Sequence, residues 1–311
     1  MRAIVFERNG GPEVLGLKEV PAPDPGAGEV LVEVEAIGVN YRDVYERNGG
    51  GYGSEPPAII GVEGAGKIRG TGERVAWAHF AGSYAEQIAG PRERLVPIPD
   101  GVSTEVAAAA LLQGMTAHYL AADSYPISPG DWVLVHAAAG GVGLILTQIA
   151  KARGGRVIAT TSTEEKANLA REAGADEVIG YDGFAEVAKE ITGGEGVAAI
   201  YDGVGKATFL AGFKALGPAG RMILYGAASG RPDPIDPGML VAGSWYVQRP
   251  TLGTYTRTPQ LLQERARAVF ELIESGKVDV RIGSRYPLEQ ARQAHEDLEA
   301  RKTTGKILLA P

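Results

Sequence analysis

Cysteine is absent from the 311-residue sequence. Disulfides, thiol nucleophiles, thiolate zinc sites and iron–sulfur clusters are therefore excluded. Histidine is scarce, and the four present, His79, His118, His136 and His295, are too scattered to read as a ligand set. Long apolar runs are missing too. No window approaches the roughly 18 uncharged apolar residues of a membrane span, so no membrane partner is expected. The N-terminal apolar run ends early, at Glu7, and lacks the hydrophobic region of a signal peptide. A cytoplasmic location is the expectation. Nor is there an excess of positive charge. The formal net charge of -7 argues against a general partner among nucleic acids or anionic membranes.

Glycine is abundant at 44 residues and shows no collagen period, which points to many tight turns and close backbone approaches. At about 150 residues per domain, the length suggests two domains. The first third, to Gly101, carries partly alternating apolar residues such as Val30–Ala36 between recurrent glycines and prolines, and reads as a β-rich unit. Helix is expected over Glu105–Leu112. From Asp131 the texture changes to short apolar runs alternating with helical stretches. Strands are expected at Trp132–His136, Arg156–Thr160, Glu177–Ile179, Ala198–Tyr201 and Met222–Tyr225, with helices at Leu144–Arg153 and Glu164–Ala173. This alternation implies right-handed βαβ crossovers and a mostly parallel sheet. A long amphipathic helix after Pro259, a helix over Leu288–Ala300 and a strand at Lys306–Leu309 complete the chain.

The strongest local signal is Val135-His136-Ala137-Ala138-Ala139-Gly140-Gly141-Val142-Gly143, which joins a strand to a helix. In a dinucleotide turn, Gly140 lets the backbone approach a pyrophosphate and Gly143 lets the helix pack on the strand. The helix start would offer amides and a partial positive charge to the phosphates. Ala138 replaces the first glycine of the G-x-G-x-x-G pattern, so an ordinary tight turn is an equal reading. NAD-specific sites place an acid about 20 residues further on. Nineteen residues past Gly143 stands the neutral Ser162, flanked by Thr161 and Thr163 and followed by Lys166. Neutral donors and a cation suit a 2'-phosphate and favour NADPH, although Ser162 or Thr163 also reads as a helix cap.

Gly10–Leu15, Gly38–Asp43, Ala137–Gly143, Tyr201–Gly205, Gln248–Pro250 and Arg301–Lys306 together resemble the NADPH:quinone oxidoreductases. These are the zeta-crystallin-like branch of the zinc-free medium-chain dehydrogenase/reductase superfamily. The resemblance implies an α/β protein with a GroES-like β-barrel catalytic domain (residues 1–116 and 253–311) and a Rossmann doubly wound parallel-sheet domain (117–252). It also implies no metal. Zinc-dependent relatives carry cysteine where Asn40 stands, and Gly-His-Glu where this chain has Gly61-Val62-Glu63.

Position by position, the resemblance places Asn40 and Tyr45 beside nicotinamide and substrate as catalytic candidates, with Tyr52 on the substrate side. Thr116 contacts the cofactor. Gly140, Gly141, Val142 and Gly143 form the phosphate turn, and Ser162, Lys166 and Tyr181 face the 2'-phosphate or adenosine. Gly203, Val204, Tyr225, Gly226, Ala227 and Ala228 line the nicotinamide side, Thr251, Leu252 and Gly253 close the cleft, and Arg301 lies nearby. As plain packing residues, Asn40 and Asp43 would cap turns and Tyr45 and Tyr52 would fill space.

The expected reaction is hydride transfer from NADPH to a quinone. The alternatives are reduction of an enone or enoyl double bond, or NADPH binding without catalysis. Ser244–Gln248 is expected to be the last sheet strand, pairing near Trp245 with a twin chain in a homodimer. The segment between Gly66 and Val75 is shorter than is usual in the family, which bears on the cleft rim.

Overall fold

The structure, a computed structural model, describes residues 1–51 and 53–311. The chain forms two compact units. One comprises Met1–Met115, Thr256–Gly276 and Val280–Pro311; the other comprises Thr116–Tyr255 and Lys277–Asp279. The boundaries expected from sequence fell at 116/117 and 252/253. Two bonds within the second unit involve residues on the shifted side of these boundaries. Gln248 Nε2 donates to the Tyr255 hydroxyl at 3.0 Å, and the Asp279 N–H donates to Gln148 Oε1 at 2.7 Å.

The discontinuous unit holds a seven-stranded sheet. Its order is Ile282–Pro287, Lys306–Ala310, Glu29–Val39, Glu63–Ile68, Arg74–Ala78 and Val96–Pro97, and Gln87–Pro91 pairs with the first half of Glu29–Val39. The strand Glu29–Val39 alternates buried Val32, Val34 and Ala36 with exposed Glu33 and Glu35. That period of two sends one face to a core containing Phe6, Trp77, Tyr84 and Leu309. The chain enters the sheet twice, so its C-terminal strand lies beside Glu29–Val39. The short Gly66–Val75 segment is a tight hairpin connection, with Gly70 and Gly72 both at positive φ.

The second unit is a six-stranded, all-parallel sheet: Glu177–Ile179, Arg156–Thr160, Trp132–Val135, Val197–Asp202, Leu216–Leu224 and Tyr246–Gln248. Numbered along the unit, the strand order is 3-2-1-4-5-6, so the order reverses beside Trp132–Val135. Ligands gather at such a switch point, outside the carboxyl ends of the strands. The four-residue strand Trp132–Val135 is buried almost throughout, as expected for a parallel sheet covered on both faces.

Helix Thr104–Tyr119 runs longer than the expected Glu105–Leu112. The expected helix over 288–300 divides into a 3₁₀ turn at Leu288–Gln290 and helix Ala291–Glu299. Among the described residues, no helix is long and apolar enough to cross a membrane.

Candidate functional site

In the parallel-sheet unit the polypeptide leaves Trp132–Val135, turns at Ala137–Gly140 and enters helix Gly141–Ala152. Ala137 takes a left-handed φ of 51°, and the Gly140 N–H donates to the Ala137 carbonyl at 2.9 Å. A Cβ on Gly143 would lie 2.5 Å from the Ala137 carbonyl oxygen and 2.7 Å from Ala138 Cα, so only glycine lets the helix approach this closely. Gly140 occupies the N-cap position and the helix has no side-chain cap. Its first amides, at Gly141, Val142 and Gly143, therefore have no intrahelical partner and carry the positive end of the helix dipole. The open start fits a pyrophosphate, and Ala138 is tolerated because the Gly143 position makes the close approach.

The next strand ends at Thr160, whose hydroxyl pairs with His136 Nδ1 at 2.8 Å. Thr163 caps helix Glu164–Glu172 through the Lys166 N–H, leaving Ser162 exposed beside it. Capping thus falls to Thr163 and not to Ser162, and Lys166 stands on the first turn. The Tyr181 hydroxyl accepts the Ala137 N–H at 3.1 Å, and its ring is nearly parallel to His136. Tyr181 is therefore part of the wall of the glycine turn.

At the end of Val197–Asp202 the buried Asp202 carboxylate accepts from the Val204 N–H at 2.7 Å, the Gly205 N–H at 2.9 Å and the Thr208 hydroxyl at 2.8 Å. Burial raises its pKa in spite of these bonds. The Gly203–Gly205 turn is also tied to Tyr225–Ser229. The Ala228 N–H donates to the Gly203 carbonyl, and Ser229 donates its N–H and hydroxyl to the Val204 carbonyl. Gly203 leaves no room for a Cβ against the Tyr225 ring, 2.8 Å away. The Asp202 carboxylate braces the first loop and Ser229 ties the second loop to it, and neither was assigned a role from sequence. The carboxylate after the strand run was the available signal for Asp202.

Leu252 is buried at the start of the short helix Leu252–Tyr255, with Thr251 and Gly253 exposed. Thr116 is buried in helix Thr104–Tyr119.

In the discontinuous unit, Asn40 follows strand Glu29–Val39 and precedes helix Tyr41–Arg47. It is buried, and both N–H groups of its amide donate within the unit, to Glu63 Oε2 at 2.7 Å and to the Gly38 carbonyl at 3.2 Å. Its Oδ1 accepts from Lys306 Nζ at 2.8 Å. The Asn40 main-chain N–H donates to Asp43 Oδ2, which also accepts the Tyr84 hydroxyl at 3.0 Å. Burial pushes the Asp43 carboxyl up to about 7. Beyond it, Tyr84 meets His295 Nε2 at 3.1 Å and Arg47 donates to His295 Nδ1 at 3.0 Å. Tyr45, half-buried on the same helix, packs edge-on against Tyr41 with centroids 5.3 Å apart. Arg301 is exposed, at a φ of 57°. Tyr52 lies outside the described residues. Val62 is buried in the place of a zinc-ligating histidine, and among the described residues no three His, Asp or Glu side chains converge as a metal site.

Residues 26–100 match the family model "Alcohol dehydrogenase GroES-like domain", and residues 141–267 match "Zinc-binding dehydrogenase". Along its whole length the chain is 41% identical to the quinone oxidoreductase of Pseudomonas aeruginosa, covering 99% of that protein. The chain belongs to the quinone oxidoreductase family.

A more distant member is the 2-haloacrylate reductase of a Burkholderia species, 37% identical over 99% of this chain and 98% of that protein. Two solved structures of family members superpose over all of both chains. The Escherichia coli quinone oxidoreductase complexed with NADPH gives a TM-score of 0.97 at 39% identity. A mycobacterial protein complexed with NADPH gives 0.96 at 48% identity.

Proposed function

We propose that this chain is a zinc-independent NADPH:quinone oxidoreductase. The observation that carries the reading is the helix start at Gly140–Gly143 without a side-chain cap, combined with a strand end, Thr160–Thr163, that leaves the Ser162 hydroxyl exposed and carries no carboxylate. These features fit a dinucleotide bearing a 2'-phosphate. NADPH, when bound, supplies the hydride. Gly141, Val142 and Gly143 present amides to the pyrophosphate, Ser162 and Lys166 meet the 2'-phosphate, and Tyr181 walls the adenosine side. Gly203, Val204 and Tyr225–Ala228 line the nicotinamide side, with Thr116 and Thr251–Gly253 as further contacts and Arg301 nearby.

Substrate-side chemistry falls to Tyr45, with Tyr52 as a second substrate residue. As an acceptor oxygen gains negative charge, a hydroxyl aimed at it stabilises that charge and passes on a proton. Asn40 would have to release Glu63 or Gly38 to donate there, so it serves as frame on the nicotinamide side while Tyr45 donates. A quinone needs no obligatory acid, because its hydroquinone anion is a stable product.

A second reading, reduction of an electron-poor carbon–carbon double bond, is favoured by the 2-haloacrylate reductase relative. That reaction needs a proton at carbon and places more demand on Tyr45. Tyr45→Phe is expected to lower kcat by about tenfold with enones and less with quinones; equal losses on both, measured by steady-state nicotinamide oxidation, would contradict the assignment.

The protein is also proposed to be a cytoplasmic homodimer. Strand Tyr246–Gln248 ends the parallel sheet, with Tyr246 58% and Val247 39% exposed. An apolar edge of this kind is a template for pairing with a second copy. Val247→Asp is expected to convert a dimer to a monomer by light scattering, and a wild-type monomer at micromolar concentration would overturn the proposal.

A further inference from the structure

Three residues far apart in sequence meet at one end of the seven-stranded sheet. Asn40 follows the strand Glu29–Val39, Glu63 opens the neighbour on one side and Lys306 opens the neighbour on the other. The register brings them level, since Ile37 pairs with Gly64 and Val39 with Ile307. Lys306 and Glu63 are an ion pair with side chains 1% and 0% exposed. The second Glu63 oxygen accepts the Leu112 N–H of helix Thr104–Tyr119 at 2.6 Å. A Cβ on Gly38 would lie 2.6 Å from the Glu63 carboxylate, so glycine there makes space for the pair.

The chemistry of the pair dictates the orientation of the amide between them. An ammonium only donates and a carboxylate only accepts. Asn40 must turn Oδ1 to Lys306 and Nδ2 to Glu63, as it does. An asparagine at an N-cap ordinarily gives its side-chain oxygen to the first amides of the helix. Here Lys306 holds that oxygen from one side, while the Asp43 N–H donates to the Asn40 main-chain oxygen and the Asp43 carboxylate accepts the Asn40 N–H in a capping-box arrangement at the helix start. A buried charge pair is a costly way to fill space, because apolar residues of similar volume usually serve stability as well.

We infer that the Lys306–Glu63 pair is a positioning device for the reductase reaction, fixing the orientation of the Asn40 amide and with it the capping-box start of the helix that carries Tyr45. The inference rests on the reductase reading above. Its test uses the full-length protein as wild type, as Lys306→Met, and as the double variant Lys306→Met/Glu63→Gln, which leaves neither charge unpaired. Measurements are thermal unfolding, NADPH affinity by nicotinamide fluorescence, and kcat and KM with a quinone. The double variant is expected to unfold close to wild type and keep NADPH affinity within about threefold, while kcat falls by about tenfold or more and quinone KM changes little. Lys306→Met is expected to lose kcat equally and to be the less stable of the two. Wild-type kcat in the folded double variant would overturn the inference, and it decides even if the single variant fails to fold. Absence of turnover by wild type itself would instead overturn the reductase reading.

Discussion

At the residue scale, the dinucleotide half-site turns on a few side chains whose alternatives the structure separates. Thr163 takes the cap, so Ser162 is left exposed at the strand end, with Lys166 half-buried on the first turn of the helix that follows. Lys166→Ala is expected to weaken NADPH binding by about tenfold and leave NADH binding within about twofold, the size of one charge-assisted contact to phosphate. Titration of both nucleotides by fluorescence checks it, and equal losses would contradict the assignment. Gly143 was legible in sequence because its demand is local: a carbonyl and a Cα within reach of any Cβ. Lys306 was not, because its partner Glu63 lies 243 positions away and only the return of the C-terminal strand brings them together.

Elements carry the larger part of what the sequence made plain. The parallel strands were visible as apolar runs between helical stretches, since strands covered on both faces need no alternation. The β-rich unit was harder. Its register depends on pairings between distant segments, and the strand Ile282–Pro287, with alternate residues exposed, was not anticipated. Interlocking of the two loops at Gly203–Gly205 and Tyr225–Ser229 was hidden for the same reason. Asp202 joins the first loop to its strand through three bonds, and a buried acceptor set of this kind leaves unsatisfied donors when removed. Asp202→Ala is expected to raise the NADPH dissociation constant by about tenfold through loosening of these loops, with Lys166 and the glycine turn untouched. Unchanged affinity in a folded variant would contradict this role.

At the scale of the whole molecule, two buried histidines and the half-buried His79 set the response to acid. Burial lowers His79 to about 4, and His136 and His295 to about 3, with Arg47 adding to the effect at His295. Each stays neutral in the folded chain while the unfolded chain takes up protons near pH 6.5, so their stabilisation is present above that pH and lost as pH falls toward the folded values. Asp43 works in the opposite sense. Its raised pKa, about 7, contributes stability below the ordinary carboxylate range that is lost as pH rises through 7. With three histidines against Asp43 and the likewise raised Asp202, the unfolding temperature is expected to drop between about pH 7 and pH 5, and His136→Gln to flatten that drop. A profile rising toward pH 5 would contradict the buried neutral histidines.

The central claim is that this chain oxidises NADPH to reduce quinones. The direct measurement follows nicotinamide absorbance with purified protein, offering NADPH and NADH separately with a panel of quinones and short enones. Fast oxidation of NADPH with quinones, and slow oxidation of NADH, is the predicted result. A preference for NADH, or turnover confined to enones, would contradict it.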